Sequence, residues 1–547
     1  MTVAEQTEVT LEVGQHKELP VGPDGTGRHP GREMHAILEI GVRGPERTGA
    51  PAPGTGPALA EVLVLDTSRS MLHPAAKLHA AKDATVAAVR MLPDGTAFAV
   101  LSGQFDATVV HPGPGRQVLA TAGPGEREAA ERAVRILDAD GGTAIGAWLD
   151  LARRLLKDQP APVKHVLLLT DGRNEHDDRS SSPLATVLDA CAGQFVCDAW
   201  GIGDDWDAEL LLGITRRLHG RARAVRVESE LTGAYEELIA TLLGTAVPEL
   251  RIRLTPTTPG TVIRQVKQVV PTEQELQPVP AGPGGRAAEY VTRAWGDEVR
   301  HFQVVLTADP TGRERGEELQ LAAVEIVVPD VRRPVRLPRP RPVVVRWTDH
   351  PLDASRRHPG VRRHELYQQA SAAVAAAYRA WLRGADGRDT ADHALARALA
   401  LAGELDDAPL LAALRLIEAA PGTGRIRSGL KDVDWQHLIL SSALTTPPDG
   451  PAAPAGRGGP GPTGAGASVP AGPDAPAGGD HGDAEPAGPP AAGPPGPDAA
   501  GPPDAAGPAL PVRPDGLIEC PHCAWLGPAD SVYCGGDCGR PLNGASA

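Results

Sequence analysis

Short apolar runs alternate with segments of helical periodicity between residues 58 and 246. The runs at 62–65 and 166–169 have the length of buried strands. The predicted helices are 75–91, 126–137, 145–157, 208–218 and 231–243, and the further predicted strands are 97–101, 107–110, 195–202 and 224–227. Because strands separated by helices are typical of parallel sheets, this pattern predicts an α/β doubly wound (Rossmann-like) domain over residues 58–246.

The pattern on either side of this domain favours β-strands without long helices. Before it, residues 9–13 and 35–42 read as strands. After it, the predicted strands are 250–254, 261–270, 301–306, 319–328 and 343–347. We therefore expect an antiparallel β-sandwich over 247–348. The strands within 1–45 have no sheet of their own, so we expect them to join the sandwich, with the α/β domain inserted in it. The alternative is an N-terminus without strand partners.

The composition changes twice in the last part of the chain. Residues 360–445 carry Ala and Leu at helical spacing, which predicts a small α-helical domain with helices at 365–383, 391–401, 409–418 and 435–444. Residues 446–514 are rich in Pro, Ala and Gly and lack aromatic side chains. We expect them to form a disordered linker, because they cannot bury enough apolar surface to fold. A last short module follows at 515–547.

Side chains with hard oxygen atoms follow the two buried apolar runs. Asp66, Ser68 and Ser70 come directly after 62–65, Asp171 follows 166–169, and Thr143 stands in a glycine turn that opens a predicted helix. Because the carboxyl ends of parallel strands share one edge, we expect the five to converge at a solvent-facing strand edge. Hydroxyl and carboxylate oxygens suit Mg²⁺ or Mn²⁺ rather than zinc. The alternative is a strand-end turn with helix caps, which use the same residue types.

This order of motifs resembles the von Willebrand factor A (VWA) domain with its metal-ion-dependent adhesion site. The resemblance rests on the Asp66-x-Ser68-x-Ser70 motif with the distant Thr143 and Asp171, and it covers about residues 58–246. It implies that Ser68, Ser70 and Thr143 ligate the metal directly, while Asp66 and Asp171 act mostly through water. It also implies an open coordination position that takes an Asp or Glu carboxylate from a partner protein.

Two further features lie near the predicted metal site in the sequence. The loop 201–207 follows a predicted strand at the same edge, and it either shapes the partner surface or is a glycine turn with an Asp N-cap. His73 is the nearby candidate for a general base, which a metal-dependent hydrolase would need. The sequence contains no recognisable Ser-His-Asp set, phosphate loop or glycosidase pair, so we expect no enzymatic activity.

Four of the six cysteines lie near the end of the chain, in two pairs: Cys520 with Cys523, and Cys534 with Cys538. Paired knuckles of reduced cysteines predict a tetrahedral Zn²⁺ site that stabilises a module too small to fold unaided. The segment resembles a zinc ribbon, although three residues separate the second pair where two are usual. The alternative is two disulfides, which would need an oxidising compartment. Cys191 and Cys197 are predicted to be buried free thiols.

The charge and hydropathy of the chain narrow its possible partners and location. A net charge of -15 argues against nucleic acid as a partner. The chain lacks an apolar run long enough to span a bilayer and a recognisable signal peptide, so we expect a cytoplasmic protein without membrane association. The abundance of Ala, Gly, Pro and Arg suggests a bacterial source.

These observations favour a metal-dependent adaptor that binds a protein partner without catalysis. The metal site would bind an Asp or Glu of that partner, and the zinc ribbon offers a surface for a second one. Two alternatives stay open. One is a subunit of an ATPase or of a kinase/phosphatase signalling system, as in bacterial proteins resembling the tellurite-resistance group. The other is a hydrolase in which the metal activates water.

Overall fold

A computed structural model of the chain describes residues 6–20, 33–44, 59–73, 76–174, 183–225, 230–281, 286–309, 315–329, 334–354, 356–445, 517–519 and 526–528. The chain divides into two units, Met1–Gly459 and Pro460–Ala547. In the second unit, Leu517–Glu519 pairs antiparallel with Leu526–Pro528. The four cysteines predicted to bind zinc and the predicted linker at 446–514 lie outside the described residues.

The first strands of the chain are β1 (Thr7–Gln15), β2 (Glu18–Pro20) and β3 (Glu33–Arg43). Strand β3 pairs antiparallel with β1 on one side. On its other side it pairs antiparallel with Glu298–Thr307, a strand that follows the α/β domain in the chain. The N-terminal strands therefore have partners, and the chain leaves their sheet to form the α/β domain before it returns.

The α/β domain contains strands and helices in alternation. Its strands are β4 (Leu59–Asp66), β5 (Ala97–Gly103), β6 (Ala107–His111), β7 (Ala120–Thr121), β8 (Val163–Thr170), β9 (Val196–Ile202) and β10 (Ala222–Val225). Its helices are α1 (Ala76–Met91), α2 (Pro124–Arg135), α3 (Ile145–Leu156), α4 (Leu184–Cys191), α5 (Ala208–Arg217) and α6 (Glu230–Leu243). The predicted elements are present within a few residues at each end, and α4 and β7 are additional.

The sheet of this domain has the strand order β10-β9-β8-β4-β5-β6. Strands β4, β5, β8, β9 and β10 run parallel, as predicted. Strand β6 runs antiparallel to β5, because residues 104–106 leave room for a hairpin but not for a crossover helix. Helices cover both faces, so β4 is buried along its whole length. Cys191 and Cys197 are buried free thiols, as predicted.

The next part of the chain forms two sheets. Its strands are β11 (Val247–Pro256), β12 (Val262–Val270), β13 (Gln274–Glu275), β14 (Pro278–Pro280), β15 (Ala288–Trp295), β16 (Glu298–Thr307), β17 (Glu318–Val327), β18 (Val335–Arg336) and β19 (Arg341–Thr348). One sheet has the order β13-β12-β16-β3-β1-β18 and the other β14-β15-β11-β17-β19-β2. Side chains of both sheets, such as Leu38 and Ile252, share one hydrophobic cluster. Strand β15 is absent from the sequence prediction.

Helices α7 (Pro351–Ala354), α8 (Pro359–Trp381), α9 (Arg388–Leu405), α10 (Ala408–Ile417) and α11 (Asp432–Ser442) form the helical region. Its buried side chains, among them Leu414 and Trp435, belong to the same hydrophobic cluster as Trp206 and Leu211 of the α/β domain. The helical region therefore packs directly against the α5 side of that domain. In the described residues, no helix combines the length and the apolar character needed to cross a bilayer.

A buried charge pair joins the two central strands of the α/β sheet. His165 on β8 lies opposite Glu61 on β4, and both side chains are fully buried. The His165 Nδ1 atom is 2.9 Å from a Glu61 carboxylate oxygen, and its Nε2 atom is 3.7 Å from one of Asp198. Burial opposes the imidazolium, but the charges of Glu61 and Asp198 and the hydrogen bond with Glu61 outweigh it and raise the pKa of His165 to about 10.

Replacing His165 with Leu should destabilise the chain by about 3 kcal/mol or more, because it leaves the Glu61 carboxylate buried without a partner. The double variant Glu61→Leu/His165→Leu should recover most of this loss. Since the folded pKa of His165 lies above its ordinary value, the contribution of the pair is complete below about pH 6.5 and is lost as the pH rises towards 10. Urea unfolding at pH 6 and pH 9, with the double variant as reference, measures both effects.

The exposed His79→Leu variant on α1 serves as the control and should change stability little, since its side chain is 82% exposed. Equal stability of the His165→Leu variant and the wild type at pH 6 would contradict the assignment.

Candidate metal centre

Strands β4 and β8 bring the predicted metal residues together. The two strands are paired in register, with Leu65 opposite Leu169, so they end at the same level of the sheet. Asp66 ends β4, while Thr170 ends β8 and Asp171 follows it. Because both strands run parallel, their carboxyl ends and the side chains that follow them share one edge.

A tight turn after β4 places the two serines. Ser68 precedes a single 3₁₀ turn formed by Arg69–Leu72, and its backbone N–H donates to Asp66 Oδ1 at 2.8 Å. This bond folds the chain back over the end of β4. The hydroxyl groups of Ser68 and Ser70 consequently lie 2.9 Å apart.

Hydrogen bonds connect four of the five predicted residues. The Ser70 hydroxyl donates to Asp171 Oδ1 at 2.8 Å and also contacts the Ser68 hydroxyl. The Thr170 hydroxyl donates to Asp66 Oδ2 at 2.5 Å. Thr170 was not among the predicted residues, because its apolar neighbours in β8 mark it only as part of a strand.

Thr143 completes the set from a separate loop. The loop is held in place by the Arg69 N–H, which donates to Gly141 O at 3.3 Å, and by the Asp140 N–H, which donates to Thr67 O at 2.9 Å. A Cβ atom added at Gly172 would lie 3.0 Å from the Thr143 hydroxyl oxygen and 3.6 Å from Asp66 Oδ2. Thr143 and Asp66 therefore approach each other across Gly172. All five predicted residues lie in one region, as the sequence predicts.

The expectation of a solvent-facing edge was wrong. Asp66 and Asp171 are fully buried, and Ser68 and Thr143 are nearly so. The loop that carries Thr143 and the 3₁₀ turn after Ser68 cover the strand ends, which a reading of strand ends alone does not reveal. Replacing these residues with Ala would consequently leave buried hydrogen-bonding groups without partners.

Burial perturbs the acidity of both carboxyl groups. Burial raises the pKa of Asp66 to about 6, although hydrogen bonds from Ser68 and Thr170 oppose the shift. Burial also raises the pKa of Asp171, while Ser70 and Lys77 oppose the shift. Among the described residues, Asp66 has no cationic partner within ion-pair distance.

The donor set fits a hard divalent cation. Three hydroxyl groups and two carboxylates lie together, and within the described part of the chain no cation lies at ion-pair distance from the buried Asp66. The described residues contain no cluster of three or more His, Cys, Asp or Glu side chains suited to a metal. The centre therefore depends on hydroxyl oxygens, which are hard ligands suited to a divalent cation.

A lysine that the sequence analysis missed lies beside the centre. Lys77, in the first turn of α1, places its Nζ atom 3.0 Å from Asp171 Oδ2 and 3.0 Å from Asp205 Oδ2. Asp205 belongs to the loop 201–207. In the same loop Asp207 caps α5 by accepting from the Leu210 N–H at 3.0 Å, so the loop provides both an N-cap and a contact to the centre.

The helical region reaches the rim of this centre. Arg173 donates to Asp432 on α11 at 3.1 Å and to the backbone oxygen of Asp205 at 3.3 Å. Gln436 on α11 accepts from the Ala208 N–H at 2.9 Å. The helical region, to which sequence reasoning gave no role, therefore contacts the segment that follows Asp171 and the start of α5.

Comparison with known proteins agrees with this geometry. A family model for the von Willebrand factor type A domain matches residues 61–224. A solved structure, the von Willebrand factor type A protein from Catenulispora acidiphila, is 30% identical with a TM-score of 0.69. The match covers 82% of this chain and 99% of that one, so it extends well beyond the α/β domain. The chain belongs to the von Willebrand factor type A family.

A curated relative, an uncharacterized protein from Synechocystis sp., is 29% identical over 218 residues. The match covers 39% of this chain and 49% of the relative, so the chain spans about half the length of that protein. Domains of the von Willebrand factor type A family commonly mediate metal-dependent contacts between proteins.

Replacing Asp66 with Asn should keep the fold and remove metal binding, because an amide preserves the shape and the acceptor for Ser68 but not the charge. Since burial raises the folded pKa of Asp66, the contribution of this group to the stability of the metal-free wild type is complete in acid and is lost as the pH rises through about 6. At pH 7.5 the free energy of unfolding of the variant should exceed that of the metal-free wild type by up to about 3 kcal/mol. At pH 4 the two free energies should be nearly equal. Urea unfolding with and without Mg²⁺ measures this.

Added Mg²⁺ should stabilise the wild type but not the Asp66→Asn variant. The affinity of the wild type for the ion should fall by up to about tenfold per pH unit below about 6, because one proton competes for Asp66. Equal stabilisation of both proteins by Mg²⁺ would refute the assignment of the centre.

Proposed function

We propose that the protein is a metal-dependent adaptor that binds a partner protein through a divalent cation. The observation that carries this proposal is the convergence of three hydroxyl groups and two buried carboxylates at one sheet edge, where none of the described residues places a cation beside Asp66. Membership of the von Willebrand factor type A family supports the same function.

The resemblance to the family assigns a role to each residue of the centre. Ser68, Ser70 and Thr143 would hold Mg²⁺ or Mn²⁺ directly, and Asp66 and Asp171 would act through water. The hydrogen bonds that Asp66 and Asp171 already make with neighbouring hydroxyl groups support this division. When bound, the ion would supply an open position with a net positive charge, which favours an Asp or Glu carboxylate of the partner.

We propose that the protein has no catalytic activity of its own. A hydrolase would need a base close to the metal. In the described residues, His73 makes no side-chain hydrogen bond to the centre, and Lys77 is held by two carboxylates. Among these side chains neither is arranged as a base, and the centre is better suited to binding than to proton transfer.

The terminal cysteines extend this proposal to a second metal. Cys520, Cys523, Cys534 and Cys538 would bind one Zn²⁺ and stabilise a small module that offers a surface to a second partner. One equivalent of zinc per chain in reduced, full-length protein, lost in a Cys520→Ala/Cys523→Ala variant, is the expected result. Zinc content near zero in zinc-supplied wild type would contradict it.

Capture of the partner tests the adaptor function directly. Wild type and Asp66→Asn protein are immobilised and exposed to cell extract in Mg²⁺ or in EDTA, and the bound proteins are quantified by mass spectrometry. We expect proteins that are enriched only by wild type in Mg²⁺. Neutralising an acidic residue of such a partner should then abolish its binding.

The exposed Asp189→Asn variant is the matched control, since it makes the same chemical change away from the centre. It should capture the same proteins as the wild type. A partner that binds equally in EDTA and to the Asp66→Asn variant would show that binding does not use the metal centre.

A further inference from the structure

Lys77 is a buried cation in direct contact with the metal centre. Its side chain is 5% exposed, and its ammonium group lies between Asp171, which is fully buried, and Asp205, whose side chain is 69% exposed. The ion pair with the exposed Asp205 contributes little electrostatic energy, because water screens it. The ion pair with Asp171 is shielded from water. The Lys77–Asp171 pair is therefore the electrostatically important one.

The surrounding backbone is shaped to admit this lysine. Gly203 has a φ of +76°, and a Cβ atom there would lie 2.6 Å from Lys77 Cε. Only glycine satisfies both the backbone conformation and the space required by the lysine side chain. Burial opposes the charged form, but the hydrogen bonds and charges of Asp171 and Asp205 outweigh it and raise the pKa of Lys77. The lysine is consequently a cation at every physiological pH.

Lys77 also restricts what Asp171 can do. It binds Asp171 Oδ2, while the Ser70 hydroxyl binds Oδ1 at 2.8 Å, so both carboxylate oxygens already have a partner. These two bonds hold the carboxylate group in one orientation, although each oxygen keeps a second lone pair that can face an ion or a water molecule. Lys77 therefore fixes the orientation of Asp171 beside the centre.

The fixed charge changes the balance of the centre. Asp66 and Asp171 supply two negative charges, and Lys77 cancels one of them. A divalent ion would then leave one net positive charge, where the same centre without Lys77 would be neutral. Asp205 is exposed to solvent, so screening weakens its effect on this balance.

We propose that Lys77 is a positioning residue that lowers the affinity of the centre for the bare metal ion and raises the affinity of the bound ion for a carboxylate. The proposal rests on the proposed function for the carboxylate, whereas the effect on metal affinity stands without it. The two effects have opposite signs, which a purely structural role would not produce.

The test uses Lys77→Met, which keeps the length of the side chain and removes its charge. Mn²⁺ affinity is measured on the full chain at pH 8 by electron paramagnetic resonance of the free ion. We expect the variant to bind Mn²⁺ roughly tenfold more tightly or better, because a cation no longer repels the ion at short range. Lys82→Met on the same helix is the control and should leave the affinity unchanged.

Carboxylate binding is measured with acetate, whose methyl proton resonance broadens when it approaches bound Mn²⁺, and with acetamide as the neutral counterpart. Mn²⁺-loaded wild type should broaden acetate but not acetamide, and Lys77→Met should reduce the acetate effect severalfold. Asp205→Asn removes a negative charge from the far side of Lys77. It should therefore weaken Mn²⁺ binding and increase the broadening of acetate, which are the reverse of the effects of Lys77→Met. It also tests the proposal if Lys77→Met does not fold.

Weaker binding of both Mn²⁺ and acetate by Lys77→Met would overturn the proposal, because that result indicates a collapsed site. Unchanged Mn²⁺ affinity in Lys77→Met and Asp205→Asn would overturn it as well. If wild type fails to broaden acetate while Mn²⁺ affinity still rises in Lys77→Met, the proposed carboxylate-binding function fails and the effect of Lys77 on metal affinity stands.

Discussion

The burial of two carboxylates at the ends of adjacent parallel strands is the constraint on which the site depends. Asp66 and Asp171 lie out of contact with water, where an unpaired charge is costly. Each is therefore held by a hydroxyl group from the neighbouring segment, Thr170 for Asp66 and Ser70 for Asp171. Lys77 lies beside Asp171, whereas the part of the chain that the structure describes places no cation beside Asp66. A bound metal ion would neutralise the remaining negative charge of Asp66 at this edge of the sheet.

The rest of the chain is arranged around this edge. The chain leaves a sheet after β3, forms the α/β domain and later returns to the same sheet, where β16 pairs with β3. The segments before and after the domain are therefore both anchored in that sheet. Helix α11 packs against α5 and the loop 201–207. The helical region thus contributes to the surface around the centre. The sheets and helices of these regions support the loops that carry the binding groups.

Much of the site could be predicted from the sequence, because four of its residues follow or end two strands, Thr143 stands in a glycine turn before a helix, and a parallel sheet brings strand ends together. Asp66, Ser68, Ser70, Thr143 and Asp171 carry that signal themselves. Lys77, Gly172 and Asp205 do not, since their importance comes from side chains that are distant in sequence. The burial of Asp66 could not be predicted either, because the loop that covers it is distant in the sequence. Strand β15 was missed because Arg and Glu residues interrupt its apolar pattern.

The central claim is that these five oxygen-bearing residues hold one divalent ion. A crystal of the full chain grown with Mn²⁺, measured at an X-ray wavelength where manganese scatters anomalously, tests it most directly. The account predicts one anomalous peak within bonding distance of the Ser68, Ser70 and Thr143 hydroxyl groups, with Asp171 still bound to Lys77. A peak elsewhere in the domain, or none at saturating Mn²⁺, would contradict it.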